Sequence, residues 1–506
     1  MDSLEPLHAH RPSRRLFLSC CAGVAGTVLP AACTSPRADR VHRAADVDWR
    51  IHDSGPEDAV LGYSDQVSVR PGQEVTLRVS TTARGFRVLA FRMGWYDGAQ
   101  ARLVWRSERV PGRTQREPRT HTATRTVEAD WKRTMSFGTD GWEEGAYLLR
   151  LDTDDSHQRY IPLVVRSKEA AGRTVLLHAA ATWQAYNLWG GYNLYEGPDG
   201  GYRARSTVVS FNRPYDKNGA EKFLVYERAA VALAEKLDIP LAYTTGIDAD
   251  RDPAVLENAA AVVVLGHDEY WTPRLRRAVT RARDAGTNVA ILGANTCFRR
   301  IRLETADREP EHRPGRSVAC YKSSYTHDPH FADRPDEVTT DFRHDPGADP
   351  ESSLTGVLYE GYPTDAPYVV HRPGHWLFEG TGVRRGDAFD HLVGVEYDRV
   401  TPQAPTPRKL EIIAHSPLRC NGEDSHHDSA YYTVDSGAGV FAAGTMRWVE
   451  GLMAGTEENG RNHGMDRATG AFVTRTTTNL LRAFAEGPAA RHRPEPEPNA
   501  HRVYPD

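Results

Sequence analysis

One stretch, AAVVVLGHDEYWTPRLRRAV from Ala260 to Val279, constrains the fold more than any other part of the chain. Ala260 to Leu265 is a continuous apolar run rich in β-branched residues, the pattern of a strand buried on both faces. Gly266 breaks the run, and His267, Asp268, Glu269, Tyr270 and Trp271 follow. Thr272 and Pro273 then read as the N-cap and first-turn proline of an amphipathic helix. Five chemically capable side chains thus stand just past the carboxyl end of a buried strand, where open α/β sheets bind their ligands.

The neighbouring segments repeat that alternation. RTVLLH (173–178), LAYTT (241–245) and NVAIL (288–292) read as further buried strands. Helical periodicity separates them over 221–236, with a brief helix near 252–256 and the helix that ends at Gly286. Strand and helix in strict alternation predict a doubly wound parallel sheet of flavodoxin- or amidotransferase-like type. Before it, from Trp49 to about Arg166, short alternating runs such as EVTLRVS, RVLAFRMGWY and YLLRLDT are spaced by Gly, Pro, Asp and Ser turns, which predicts an immunoglobulin-like β-sandwich. The expected architecture is therefore α/β plus all-β, with a sandwich over 49–168 and an α/β domain over 169–486. Residues 304–350 read as a long polar surface excursion. HLVGVEY (391–397), KLEIIAH (409–415), 430–434 and 439–443 read as later strands, 471–485 as a closing helix, and 487–506 as a disordered tail by composition.

Residues 1–36 read as an export signal rather than as part of the fold, followed by a polar linker over 37–48. Ser13-Arg14-Arg15-Leu16-Phe17-Leu18 and the modestly apolar CCAGVAGTVLPAA after it match a twin-arginine signal, in a run too short to span a bilayer permanently. Cys33 stands at a lipoprotein-like cleavage site, so cleaved secretion and a lipid anchor are both expected destinations. Beyond the signal only Cys297, Cys320 and Cys420 remain. Export permits disulfides, and Cys297 with Cys320 could bridge the polar segment between them. With 26% charged residues and a formal net charge of −5, nothing in the charge balance calls for nucleic acid.

Chemistry gathers at strand ends. The first strand leads to Trp183, Tyr186 and Asn187, the third to His267, Asp268, Glu269 and Tyr270, and the fourth to Asn295, while Glu396 lies on HLVGVEY. A carboxylate beside an imidazole and an amide can bind a metal, act as a base and orient a carbonyl. Structural roles compete: Glu269 as a helix-dipole partner, His267 as a satisfied core histidine, Tyr186 as an aromatic anchor, Asn295 as a turn residue, Glu396 as a salt-bridged strand residue. No Cys or Ser occupies the turn after the third strand, which favours a water nucleophile activated by a metal.

The motifs ARGFRVLAFRMGWYDGAQARLV, ATWQAYNLWGGYNLY, GHDEYWTP and ILGANTCFRR resemble the large-subunit family of N,N-dimethylformamidase, clearly from about Trp49 to Arg302 and more weakly through Glu396 to Ala485. The resemblance implies a sandwich packed on an α/β core and a mononuclear iron (Fe3+) held by two tyrosines and one glutamate, with a histidine, an asparagine and a second glutamate nearby. Carried over by motif, Tyr186 and Glu269 become ligands. Tyr147, about 40 residues before Tyr186 in GWEEGAYLLRL, is the preferred second phenolate, with Tyr226 and Tyr270 as alternatives. His267, Asn295 and Glu396 match the catalytic polar groups. Hydrolysis of a small-molecule amide is the implied activity. A small partner subunit belongs to the family, but no segment resembling one is evident in this chain; a homo-oligomer is also open. A different class of function, a non-catalytic envelope protein whose aromatic loop binds carbohydrate, is the alternative. The aromatic insert NLWGGYNLYEGPDGGYRARS is expected to reshape the pocket.

Overall fold

In the computed structural model, which describes residues 47–305, 315–455 and 463–505, the buried run of the opening stretch is the strand Ala261–Val264, the third strand across a seven-stranded sheet. Across the sheet the order is Leu241–Thr245, Thr174–His178, Ala261–Val264, Asn288–Ile291, Gly439–Ala442, Glu423–Thr433 and Leu410–Cys420. The first five are parallel and the last two antiparallel. In chain order the parallel strands run 2-1-3-4-5, so the winding reverses between the first and third. Their period-two alternation sorts side chains onto two covered faces. Val262, Val264, Val289 and Ile291 meet Leu275 and Val279 of the helix Pro273–Asp284. Leu176, Val263, Ala290 and Phe441 meet Val231 and Leu233 of Arg228–Lys236 and Leu480 and Phe484 of Arg467–Ala485. The cap expected at Thr272 is present, its Oγ1 accepting from the Leu275 N–H at 3.0 Å with Pro273 in the first turn.

The N-terminal part is built of two large sheets and a two-stranded hairpin, Arg119–His121 with Thr126–Glu128. Val60–Ser64, Glu74–Thr81 and Met135–Gly138 form one; Ser68–Val69, Gln158–Val165, Gly145–Thr153, Gly85–Met93 and Ala101–Arg106 form the other, with Val110–Pro111 paired to Gly85–Met93. Alternation again decides the packing. Phe86, Val88, Ala90, Leu149 and Leu151 point between the two sheets. Leu89, Phe91, Met93 and Leu148 point the other way, into the core that holds Leu176, Val231 and Tyr243. The overall class is thus mixed, β-sheets followed by an α/β layer, and the second sheet is buried on both faces.

Three expectations need correction. The helix over 221–236 is two helices, Glu221–Tyr226 and Arg228–Lys236. Glu227 breaks it because its fully buried carboxylate turns inward to accept from the Ala179 N–H (3.1 Å) and Trp183 Nε1 (2.7 Å) and to meet His178 Nδ1 (2.5 Å). The polar segment 304–350 is not only a surface excursion: Ser317–Ala319 is a buried strand between Val208–Ser210 and Arg302–Glu304, and Lys322 after it is fully buried. The tail is docked rather than disordered. Asn499 lies buried against the edge strand Leu410–Cys420, its Oδ1 accepting from the Ile412 N–H (2.7 Å) and its Nδ2 donating to the Ile412 carbonyl (3.0 Å), while Tyr504 Oη donates to Asp428 (2.6 Å). A side-chain amide satisfies an edge that would otherwise be unpaired, a role composition does not reveal. The twin-arginine stretch and Cys33 lie outside the described residues. No described helix is long and apolar enough to cross a membrane.

Asn499→Ala strips both Ile412 bonds, so the expected loss is about 2 kcal/mol. A lowered urea midpoint with unchanged slope shows this; an unchanged midpoint contradicts the docking of the tail.

Candidate functional site

Four chain segments deliver the site, at the switch point of the sheet. The first strand passes into the short helix Ala180–Ala185, and Tyr186 caps its carboxyl end. The third strand ends at Gly266, in the left-handed region at φ +45°, where a Cβ would lie 2.2 Å from the Tyr226 carbonyl oxygen. At Gly293, past the fourth strand, a Cβ would stand 1.9 Å from the Gly266 carbonyl oxygen. Gly293 therefore lets the loops after the third and fourth strands touch backbone to backbone, bringing His267–Glu269 beside Asn295, while Gly266 lets the third-strand loop lie against the backbone of Tyr226. Glu396 arrives on the strand Ala388–Arg399, paired with Leu358–Val369.

Three buried oxygens form a tight triangle. Tyr186 Oη lies 2.6 Å from Glu269 Oε2 and 3.0 Å from Tyr195 Oη, and Tyr195 Oη lies 2.6 Å from Glu269 Oε2 and 2.7 Å from Oε1. The two phenol rings stack with centroids 4.6 Å apart. His267 bridges to the other half of the site: its Nε2 is 3.0 Å from Tyr186 Oη, and its Nδ1 is 3.8 Å from Glu396 Oε2. Asn295 donates from Nδ2 to Glu396 Oε2 at 2.9 Å, and its backbone N–H donates to Asp398 Oδ1 at 2.8 Å. Its Oδ1 has no partner.

Burial would make Glu269 a weak acid were it alone. Arg299, whose Nε donates to Glu269 Oε1 at 3.2 Å, outweighs that burial together with Lys322 and His267 and holds the carboxyl below its ordinary range. Burial and the charge of Glu269 raise Tyr186 and Tyr195 well above the usual phenol range. His267 is lowered to about 4 by burial, against the pull of Glu269, and is neutral. Glu396 moves the other way, to about 8, because of burial and then Glu269. Two carboxyls in one site are thus pushed apart, one ionised and one protonated at neutral pH.

The structure brings Tyr186, His267, Glu269, Asn295 and Glu396 together and leaves Tyr147 out. Strand parity is the reason. Tyr147 alternates with Ala146 and Leu148, and those two face the α/β layer while Tyr147 faces between the sandwich sheets. There it stacks on Trp142 at 5.0 Å and donates to the Glu143 carbonyl at 2.6 Å. Tyr195, from the aromatic insert, stands where Tyr147 was expected. Of the two alternatives, Tyr226 lies with its ring 5.8 Å from that of His267. Tyr270 is a wall residue, edge-on to both triangle rings at 6.2 and 6.4 Å, with its buried hydroxyl unpartnered. Asp268 accepts from Thr182 Oγ1 at 3.0 Å, and Trp271 is core. Arg299, which also pairs with Asp341, was missed although it lies in the quoted motif ILGANTCFRR. Lys322, whose Nζ sits 3.2 Å above the Tyr195 ring, was hidden in the polar segment. All three described cysteines are free, and Cys297 and Cys320 are buried in different cores, so no bridge joins them.

Among the described residues, no cluster of three or more His, Cys, Asp and Glu side chains is placed to hold a metal. A metal here would depend on the phenols. Hard cations bind oxygens at roughly 2.0–2.1 Å, and two such oxygens at right angles stand about 2.9 Å apart. The 2.6–3.0 Å edges of the Tyr186–Tyr195–Glu269 triangle are of that size, so the donor set fits a hard, oxygen-seeking ion.

A family model described as N,N-dimethylformamidase beta subunit-like, C-terminal, matches residues 87–463. The chain belongs to this family. Comparison with curated proteins finds no match. Among solved structures, a Paenibacillus sp. cycloisomaltooligosaccharide glucanotransferase complexed with cycloisomaltoheptaose aligns at 10% identity over 84% of this chain and 80% of that one. Its TM-score of 0.17 is too low to carry an argument.

Arg299→Met leaves Glu269 and Asp341 without their shared cation, and breaking such a pair costs about 3–5 kcal/mol. Urea unfolding of metal-free protein should register that loss; a loss under about 1 kcal/mol, the scale of a surface ion pair, would show that Glu269 does not depend on Arg299.

Proposed function

We propose that this chain hydrolyses a carbon–nitrogen amide bond of a small molecule, with Tyr186, Tyr195 and Glu269 holding one iron ion. The observation that carries the reading is the oxygen triangle with His267 and Glu396 beside it, in a member of the N,N-dimethylformamidase-like family. When bound, such an ion polarises a carbonyl and makes its water more acidic. The side chains account for the proton traffic. His267, neutral and within reach of the triangle, takes the proton of the attacking water. Glu396, protonated at neutral pH, gives its proton to the leaving nitrogen as the C–N bond breaks. His267 Nδ1 faces Glu396 across 3.8 Å, so a proton passed from one to the other restores the starting state. The products are a carboxylic acid and an amine. Asn295 holds the Glu396 carboxyl in place through Nδ2, a different task from the carbonyl-orienting one its type suggested.

The same proposal takes the two-sheet part as an immunoglobulin-like sandwich and the sheet after it as a doubly wound, flavodoxin- or amidotransferase-like layer, supported by the 2-1-3-4-5 order. It includes export by the twin-arginine route, with the mature protein secreted or anchored through Cys33.

Purified protein loaded with iron is expected to carry about one equivalent and a visible phenolate-to-iron band. Tyr186→Phe and Tyr195→Phe should each weaken or abolish the band, and Tyr147→Phe should leave it unchanged. A band that survives Tyr195→Phe, or folded protein that takes up no iron, contradicts the ligand set. Glu396→Gln should retain iron but lower kcat on a cleaved amide by about 10²–10⁴-fold, the usual worth of a general acid; an undiminished kcat removes Glu396 from the mechanism.

A further inference from the structure

A cavity of about 310 Å³ opens against Tyr186 and Tyr195, with Trp183, Phe223, Tyr215 and Leu188 among its walls. Allowing roughly 30 Å³ per water, it has room for about ten, far more than an amide of a few heavy atoms displaces. Lys222 lines it. The ammonium lies 4.3 Å from the centroid of the Tyr186 ring and 5.4 Å from that of Tyr226, held over two aromatic faces. Three carboxylates share the cavity wall, Glu196, Asp216 and Glu221; Glu221 pairs with Lys217 at 2.5 Å and Asp216 accepts from the Leu188 N–H at 3.2 Å, so the two act on Lys222 only at a distance. Among the described residues, no carboxylate forms an ion pair with Lys222. A half-buried cation in an aromatic-walled cavity is costly without a carboxylate in direct contact, and stacking on phenol rings together with more distant acidic side chains returns only part of that cost.

We propose that the counter-charge comes from the substrate: this site takes amides that carry a carboxylate, seated against Lys222 while the amide lies at the Tyr186–Tyr195–Glu269 cluster. The inference rests on the amide-hydrolase reading and narrows it from neutral small amides to anionic ones. Lys222 is then a specificity residue, a charge at the far end of the substrate from the bond that breaks, which adds binding without touching the reacting carbon.

The test uses matched pairs in which only the charge changes. N-Formylglycine against N-formylglycinamide places the carboxylate on the amine side of the bond. N-Methylsuccinamate against N,N′-dimethylsuccinamide places it on the acyl side. For at least one pair, wild-type kcat/KM should favour the anion by roughly tenfold to a hundredfold, the worth of a hydrogen bond to a charged group. Lys222→Met should remove that preference, mainly through KM, and Lys222→Arg should restore most of it. Equal kcat/KM within both pairs overturns the proposal, as does a preference that survives Lys222→Met. Quenching of Trp183 fluorescence by the same compounds, read as the change lost in Trp183→Phe, gives binding without turnover. Cleavage of the neutral amides with no preference for the anions sinks this inference and leaves the hydrolase reading standing. Binding of the anions that depends on Lys222, with no cleavage of either member, sinks the hydrolase reading and leaves this one.

Discussion

An ionised carboxylate sealed in the interior needs compensation, and Glu269 is that carboxylate. Arg299 touches it, Lys322 reaches it across the Tyr195 ring, and two phenols lie against its oxygens. These contacts keep it charged where burial alone would protonate it, and both tyrosines and Glu396 are raised by their own burial first and then by its charge. The site is one electrostatic unit, in which no single group could be moved without shifting the others' protons.

The scaffold makes that unit possible through backbone proximity. Gly293 allows the two strand-end loops to meet with no side chain between them, Gly266 allows the third-strand loop to lie against Tyr226, and the reversal of winding between the first and third strands leaves the crevice into which Tyr186 and Glu269 converge. The sandwich contributes by covering. Leu89, Phe91, Met93 and Leu148 close the core beneath the helices that flank the site. Tyr147 stays out of the oxygen triangle, because strand parity turns it inward between the two sheets.

How much of this was legible follows from which rules are local. Buried strands announce themselves by continuous β-branched runs, so Ala261–Val264 and Asn288–Ile291, and with them His267, Glu269 and Asn295, could be placed at one edge from sequence. Tyr195 could not. It lies in a glycine-rich aromatic loop with no periodicity, where Tyr192 and Tyr202 look equally eligible, and only the folded path selects one hydroxyl. Spacing within a resemblance pointed to Tyr147, but spacing along a chain says nothing about the face of a strand. Lys322 was obscured for another reason: a polar, proline-rich composition suggests surface, yet Ser317–Ala319 is held inside by pairing on both edges. The tail misled in the same way, since one asparagine with the right reach outweighs a disordered-looking composition.

The central claim is that Tyr186, Tyr195 and Glu269 are one ligand set. An anomalous difference map at the iron edge, from crystals of the iron-loaded protein, tests it most directly. The account predicts one strong peak about 2 Å, a hard metal–oxygen bond length, from Tyr186 Oη, Tyr195 Oη and a Glu269 oxygen alike. A peak elsewhere, or one ligated without Tyr195, would contradict it.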